Sequence, residues 1–422
     1  MTKLAALSGV SVKTERKILD DIEDHPTFVT GVPNGTETGL DLGGTNLLRV
    51  TLLGNHEFSM KQQKYKVSEA LKTGEASVLF DYLADSVDAF LTEHSSVGGP
   101  ISPSHDIANP FIPSLRLPFP GKILTWTKGF SAKNAVGNDV VRLLQDAFDR
   151  KHLHVRCVAL VNDTVGTLLS RAYSAGSCLL GAIFGTGTNG AYVEKVDNIT
   201  KLGDSPARKD GGYMIINTEW GAFNNTRTKL PTTPYDNKLD RESINPRYQA
   251  FEKFISGMYL GEITRNILLA LASVALNTHY GLDTAAWESG RDTEVKVNGQ
   301  SDGKSAHFTD VEALAIRGIL VQRLLLEPED VSLRDAATVR WAASLVANRA
   351  ARLSGTALAA VLVQTGHATL ENIIIGVDGS LIQHYPNFQT RLRASLSALR
   401  VEIDLAKDGS GAGGMPCVKQ GL

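Results

Sequence analysis

Two short segments of this chain carry glycine, threonine and asparagine in nearly the same order. Leu40-Asp41-Leu42-Gly43-Gly44-Thr45-Asn46 runs into the β-prone LLRVTLL, and Phe184-Gly185-Thr186-Gly187-Thr188-Asn189-Gly190 runs into AYVEKV. Gly-Thr-Asn occurs in both, at 44–46 and 187–189. Glycine lets a backbone approach an anion closely, and hydroxyl and N–H groups donate to it, so tight turns of these residues suit phosphate. An ordinary hairpin turn would account for either segment alone. As a pair, drawn from two parts of one chain, they imply a nucleotide gripped by its phosphates from both sides, and phosphoryl transfer more than static binding.

Transfer to a hydroxyl needs a positioned base, in-line geometry and neutralised phosphate charge. Asp163, between Asn162 and Thr164 at the end of the apolar run 155–161, is the candidate base. A carboxylate at a strand's C-terminal end lies where open α/β sheets bind ligands. Its alternative role is to cap a helix over 164–174, worth about 1 kcal/mol; the two roles are compatible. Gly185-x-Gly187-x-x-Gly190 also matches the dinucleotide fingerprint literally, with Asp210 twenty residues beyond it. That fingerprint must open a helix. AYVEKV is alternating and β-branched, so the element is a hairpin and the dinucleotide reading is set aside.

The elements around these residues alternate between the two periods. Residues 11–24 form a polar helix with Val12, Ile18, Leu19 and Ile22 as its stripe, and 40–54 a hairpin. A helix over 76–93 aligns Leu79, Leu83, Val87, Phe90 and Leu91, and another runs from Val136 to Phe148. Strands are expected at 155–161, 179–184 and 373–378. Asn245-Pro246 reads as N-cap and first turn of a helix reaching about 272, and the Ala-rich stretch 332–365 as a core helix pair. Residues 95–122 are poorly patterned, and 284–308 form a polar loop.

Bulk composition fits a two-lobed enzyme of the cytoplasm. The chain has 422 residues, 42% of them hydrophobic, and a net charge of −2 with no basic stripe, which argues against nucleic acid or a membrane surface. Cys157, Cys178 and Cys417 are too few and too scattered for a disulfide framework or a zinc site. AALSGV, between Lys3 and Lys13, is too short for a signal-peptide core, and no apolar run reaches membrane-spanning length.

The chain resembles the hexokinase family, its fungal glucokinase-like members in particular. The resemblance rests on LDLGGTN (40–46), LTWTKGF (124–130), VALVNDTVGTLL (158–169), AIFGTGTNGAY (182–192), INTEWGAF (216–223), LPTTPYD (230–236), AFEKFISGMYLGE (250–262), VDGSLIQHYPNF (377–388) and KDGSGAG (407–413). It implies an α/β, two-lobed actin-like ATPase (ribonuclease H-like) fold with a hinged interlobe cleft. The lobes expected are 37–160 with 404–422 (small) and 161–403 (large), after a lead-in over 1–36. The activity implied is ATP- and magnesium-dependent phosphorylation of a hexose at its 6-hydroxyl, by a monomer or homodimer.

By the same resemblance, Thr127, Lys128, Asn162, Asp163, Asn189, Glu219 and Glu252 hold the sugar, Lys128 also assisting catalysis. Asp41 holds magnesium through water. Gly43, Gly44, Thr45, Asn46 and Arg49 face the phosphates opposite Gly185, Thr186 and Gly187, while Gly379, Ser380, Gly409, Ser410 and Gly411 bound the adenosine. Three departures stand beside the matches. Residues 106–122 are proline-punctuated where the family places a serine-bearing pocket strand, GTETGLDLGG leaves only Leu40 before Asp41 as first strand, and the end GMPCVKQGL lacks the family's terminal helix. They keep open a catalytically impaired sugar-sensing protein, and N-acetylglucosamine is an alternative substrate.

Overall fold

The computed structural model describes residues 36–41, 46–54, 57–95, 122–123, 126, 130–153, 155, 162–175, 177–205, 208–209, 211–270, 310–370, 373–397, 399 and 401–406. The expected helix 11–24, most of strand 155–161, segment 106–121, loop 284–308 and everything from 407 onward lie outside them. Among the described residues the chain divides into two units, 36–181 with Ala406, and 182–405.

In the first unit, β1 (Thr36–Asp41), β2 (Asn46–Gly54) and β3 (Glu57–Lys64) form an antiparallel sheet in that order. The expected hairpin is present, with Asp41 opposite Asn46 and Thr36 opposite Thr51. The first strand, however, has six residues, not a lone Leu40. Thr36 to Gly39 pair fully along β2, because a neighbouring strand supplies ladder partners that weak local propensity cannot. Helix α1 (Glu69–Thr73) leads into α2 (Ala76–Ser95), which buries Leu79, Leu83, Val87 and Phe90 as its periodicity predicts, and Phe80 besides, with Leu91 only partly buried. Phe80, Leu83, Val87 and Phe90 pack with Ala147 and Phe148 of α3 (Val140–Arg150). That helix starts four residues later than expected. Gly137 has φ +85° and cannot be helical, and the Asp139 carboxylate caps the helix by accepting from the Val141 N–H at 3.0 Å. Helix α4 (Asp163–Ala175) closes the unit.

The second unit is built on a five-stranded sheet ordered β6-β5-β4-β7-β8, from β4 (Leu180–Phe184), β5 (Thr188–Lys195), β6 (Tyr213–Asn217), β7 (Ile373–Asp378) and β8 (Val401–Leu405). The apolar runs LGAIF and IIIGVD take central places, where both faces are covered. Helices α5 (Pro234–Glu242), α6 (Ala250–Ile255), α7 (Gly257–Ala270), α8 (Asp310–Leu324), α9 (Leu333–Gln364), α10 (Ser380–His384) and α11 (Phe388–Ser395) complete it.

Two expected elements differ here. The helix from Asn245 begins only at Ala250, because Arg247 and Gln249 are left-handed (φ 64° and 52°), and it breaks at the extended Ser256. The Ala-rich stretch is one helix of 32 residues, not a pair. It contains no proline, and its buried Ala336, Ala342, Ala343, Ala347, Ala350 and Ala351 let neighbouring helices approach closely. Against it, Leu268 of α7 and Ile316, Ile319 and Leu320 of α8 form a core cluster.

Candidate functional site

The turn Gly185–Gly187 links β4 to β5, as a hairpin connection and not a helix start. Its backbone carbonyls are taken from below: the Gly257 N–H donates to Gly185 O at 2.8 Å and the Met258 N–H to Thr186 O at 3.3 Å. The Thr186 side chain is exposed while Gly185 and Gly187 are buried, so the hydroxyl faces outward from a turn whose carbonyls point inward. Gly379 lies directly against this turn. A Cβ on Gly185 would stand 3.3 Å from Gly379 Cα and from Ser380 N. Two segments read as nucleotide-binding, Gly185 and Gly379 being 194 positions apart, are thus neighbours. Gly379 itself has φ +114° and ends β7, whose Asp378 carboxylate accepts from the Gly379 N–H at 2.7 Å and from Gln383 Nε2 at 2.6 Å.

Asn189 and Glu219, far apart in sequence, meet at the edge where β5 pairs with β6. Asn189 Nδ2 donates to Glu219 Oε1 at 2.9 Å and to Asn217 Oδ1 at 2.8 Å, and Asn217 Nδ2 donates to the same Glu219 oxygen at 2.8 Å. Thr218 Oγ1 donates to Gly190 O at 2.7 Å, fixing the strand end. Glu219 is held at φ 50°, ψ 40°, a left-handed conformation uncommon outside glycine and costing of order 1–3 kcal/mol. Trp220 follows it into the core, stacks on Phe184 and donates from Nε1 to Thr188 Oγ1 at 3.0 Å. The result is an exposed carboxylate and two amides held in fixed relative positions.

Glu252 stands on α6 beside this cluster, and its Oε2 accepts from the Thr188 N–H at 3.0 Å. Its place in the first helical turn is therefore accompanied by a tertiary bond to the strand that carries Asn189. Gln249, three residues earlier, is 7% exposed, and its Oε1 has no hydrogen-bond partner among the described residues. Gly221, next to Trp220, lies against Gln249 Oε1, Thr188 O and Glu252 Cβ, which brings the two clusters together. The sequence reading missed Asn217 and Gln249. Both had a signal: Asn217 precedes Glu219 by the period of a strand, and Gln249 precedes Glu252 by nearly one helical turn.

In the first unit, Asp163 is the opening residue of α4 and is half-buried. The cap is Asn162, whose Oδ1 accepts from the Thr164 N–H at 3.0 Å and from the Thr164 hydroxyl. Asp163 Oδ1 shares that N–H at 2.9 Å. Capping therefore does not depend on Asp163 alone. Trp126 and Phe130 stack at 5.5 Å, with Trp126 Nε1 donating to Ala132 O at 2.9 Å. Thr127 and Lys128 between them lie outside the described residues, as do Gly43, Gly44, Thr45, Gly409, Ser410 and Gly411. Asp41, Asn46 and Arg49 are placed by backbone only, Asp41 and Asn46 at the two ends of the first turn and Arg49 within β2. Among the described residues no His/Cys/Asp/Glu group forms a metal-binding set.

Comparison with known proteins identifies the family. Two family profiles described as hexokinase match residues 11–173 and 179–418. A glucokinase of Aspergillus niger is 38% identical, the alignment covering 92% of this chain and 87% of the relative. Glucokinase-1 of Saccharomyces cerevisiae is 34% identical, covering 93% and 86%. The solved structure of a hexokinase from Schistosoma mansoni complexed with glucose matches with a TM-score of 0.73 at 29% identity, over 99% of this chain and 97% of that one. The fold is that of the actin-like ATPases, and the chain belongs to the hexokinase family.

Proposed function

We propose that this hexose kinase transfers the terminal phosphoryl group of ATP to the 6-hydroxyl of glucose or a closely related hexose, with Asp163 as general base. The observation that carries the reading is the cluster of Asn189, Asn217 and Glu219 beside Gln249 and Glu252. A neutral polyol offers only hydroxyls, so it is recognised by short amides and carboxylates fixed before it arrives. Gln249 Oε1, buried and unpartnered, gains its hydrogen bond when a sugar hydroxyl donates to it. Asn162, Thr127 and Lys128 complete the sugar contacts, Lys128 adding positive charge near the transferred group.

Asp163 accepts the proton of the attacking hydroxyl, raising its nucleophilicity as the bond to phosphorus forms. Thr186 donates its hydroxyl to a phosphate oxygen, Gly43, Gly44, Thr45, Asn46 and Arg49 act from the other turn, and Gly379, Ser380, Gly409, Ser410 and Gly411 border the adenosine. Asp41 offers the hard oxygen that magnesium takes through water, and the ion supplies charge neutralisation on the phosphates. Cytoplasmic action is part of this reading. No helix of the described residues is long and apolar enough to cross a membrane. The six-residue β1 removes one of the departures behind an impaired, sensing-only protein.

The test is sugar-dependent ADP release by the purified chain against a panel of glucose, mannose, fructose and N-acetylglucosamine. Turnover on glucose is expected, with Asp163→Ala lowering kcat by about 10²–10⁴-fold while calorimetry still detects sugar binding. No turnover on any of the four sugars would sink the kinase reading. Near-normal turnover of Asp163→Ala would remove the base assignment alone.

A further inference from the structure

Glu252 belongs to a helix too short to hold itself, and Gln249 immediately precedes it. Six residues do not sustain an isolated helix, and the left-handed Gln249 that precedes α6 provides no side-chain cap. Every residue of α6 is buried, and one of them is a lysine, Lys253, only 2% exposed. Its Nζ donates to Asp240 Oδ1 at 2.8 Å and to the Asn245 carbonyl at 2.7 Å. Asp240, itself 3% exposed on the last turn of α5, also pairs with Arg227 at 3.0 Å. The main-chain N–H of Arg247 donates to both Asp240 oxygens, at 3.0 and 3.2 Å.

One carboxylate thus joins α5, α6, the turn at Arg227 and the loop that ends in Gln249. Burial pushes the Asp240 carboxyl up. Hydrogen bonds from Lys253 and the Arg247 N–H, with the charges of Lys253 and Arg227, outweigh it and hold the group below the usual carboxylate range.

Such a buried pair is a weak source of net stability, because desolvation offsets the attraction; a role in fixing geometry is the better account here. Glu252 and Lys253 are consecutive, so their side chains leave the helix about 100° apart. Anchoring Lys253 sets the rotation of α6 and therefore the direction of Glu252 toward the Thr188 N–H. The bonds to Asn245 and Arg247 fix the loop that carries Gln249.

We propose that the buried Lys253–Asp240–Arg227 cluster is the positioning device of the sugar site, setting hexose affinity through Gln249 and Glu252. The proposal rests on the hexose-kinase reading above.

Steady-state kinetics with glucose and ATP on the full chain, paired with thermal melts, test it. Lys253→Met should raise the glucose KM about tenfold or more, with kcat and the ATP KM changed less than about threefold, as expected for lost ground-state positioning. Lys253→Arg, which keeps the charge, should recover most of the affinity. Arg227→Met, at a side chain 21% exposed, should fold and raise the glucose KM a few-fold, and it decides the matter if Lys253→Met does not fold. Lys238→Met, which breaks only a surface pair with Glu242, should behave as wild type. A wild-type glucose KM in the folded variants, or glucose and ATP KM rising together, overturns the positioning role. Absence of glucose-dependent ADP release by the wild type overturns the kinase reading and this proposal with it.

Discussion

Replacing Gly379 by alanine should separate nucleotide binding from sugar binding. At φ +114°, ψ 156° this residue occupies a region essentially reserved for glycine, so any side chain brings about 1–3 kcal/mol of backbone strain. The added Cβ would also stand 2.5 Å from Phe184 O, 2.6 Å from Phe184 C and 2.9 Å from Gly185 N. These are backbone atoms at the root of the Gly185–Gly187 turn and have no rotamer to change, so the turn must move by about 0.5 Å or more to restore ordinary contact. Since a displacement of about 1 Å can cost about 10²-fold, a shift of this size should raise the ATP KM or lower kcat by about tenfold. Glucose binding should change less, because Asn189, Glu219, Gln249 and Glu252 are held by other bonds. Strain and displacement together should lower the unfolding temperature by about 5–10 °C.

Two further alanines calibrate the argument. A Cβ on Gly257 would stand 3.1 Å from Gly185 O, so Gly257→Ala should show a milder form of the same defect. Gly318 is an exposed position of α8 with nothing within 4 Å, so Gly318→Ala should stabilise by about 0.5–1 kcal/mol. Coupled ADP-release kinetics and differential scanning calorimetry read all three. Wild-type ATP KM and unchanged melting in Gly379→Ala would refute the reasoning, whatever the other two do.

The start of α9 carries a reciprocal cap: Ser332 Oγ accepts from the Asp335 N–H at 3.1 Å, and Asp335 Oδ2 accepts from the Ser332 N–H at 2.9 Å. Ser332→Ala should therefore cost about 1 kcal/mol, measurable by urea unfolding, with kinetics unchanged. His367 accompanies Thr365 at 2.8 Å, and burial pulls its imidazolium below the ordinary 6.5. A depressed folded-state value means the unfolded chain binds the proton first, so stability falls as pH drops from 6.5 through that value. His367→Gln should flatten the pH dependence of unfolding across that window, and an unchanged slope would contradict the assignment.

What the sequence determined by itself was whatever local pattern encodes. The stripe Leu79, Leu83, Val87, Phe90 specifies α2, because a period of 3.6 leaves one apolar face that must be buried. The β-branched, alternating AYVEKV excludes a helix after the glycine turn, and the apolar III of IIIGVD announces a strand. The helix start at Asn162-Asp163 was legible, and the family motifs pointed to Asn189, Glu219 and Glu252 as sugar-site candidates.

Tertiary structure alone decided the rest. β1 gained Thr36 to Gly39 because β2 lay beside them, a partner that local sequence does not supply. The helix expected from Asn245 was broken because Asp240 draws the Arg247 N–H and the Lys253 ammonium, and Gly257 gives its N–H to the Gly185–Gly187 turn instead of continuing the helix. Gln249, hinted at by its spacing from Glu252, became a candidate ligand through its buried amide oxygen, unpartnered among the described residues. Pattern fixes what a segment can become; which of its polar groups are satisfied, and by whom, is settled only when distant segments meet.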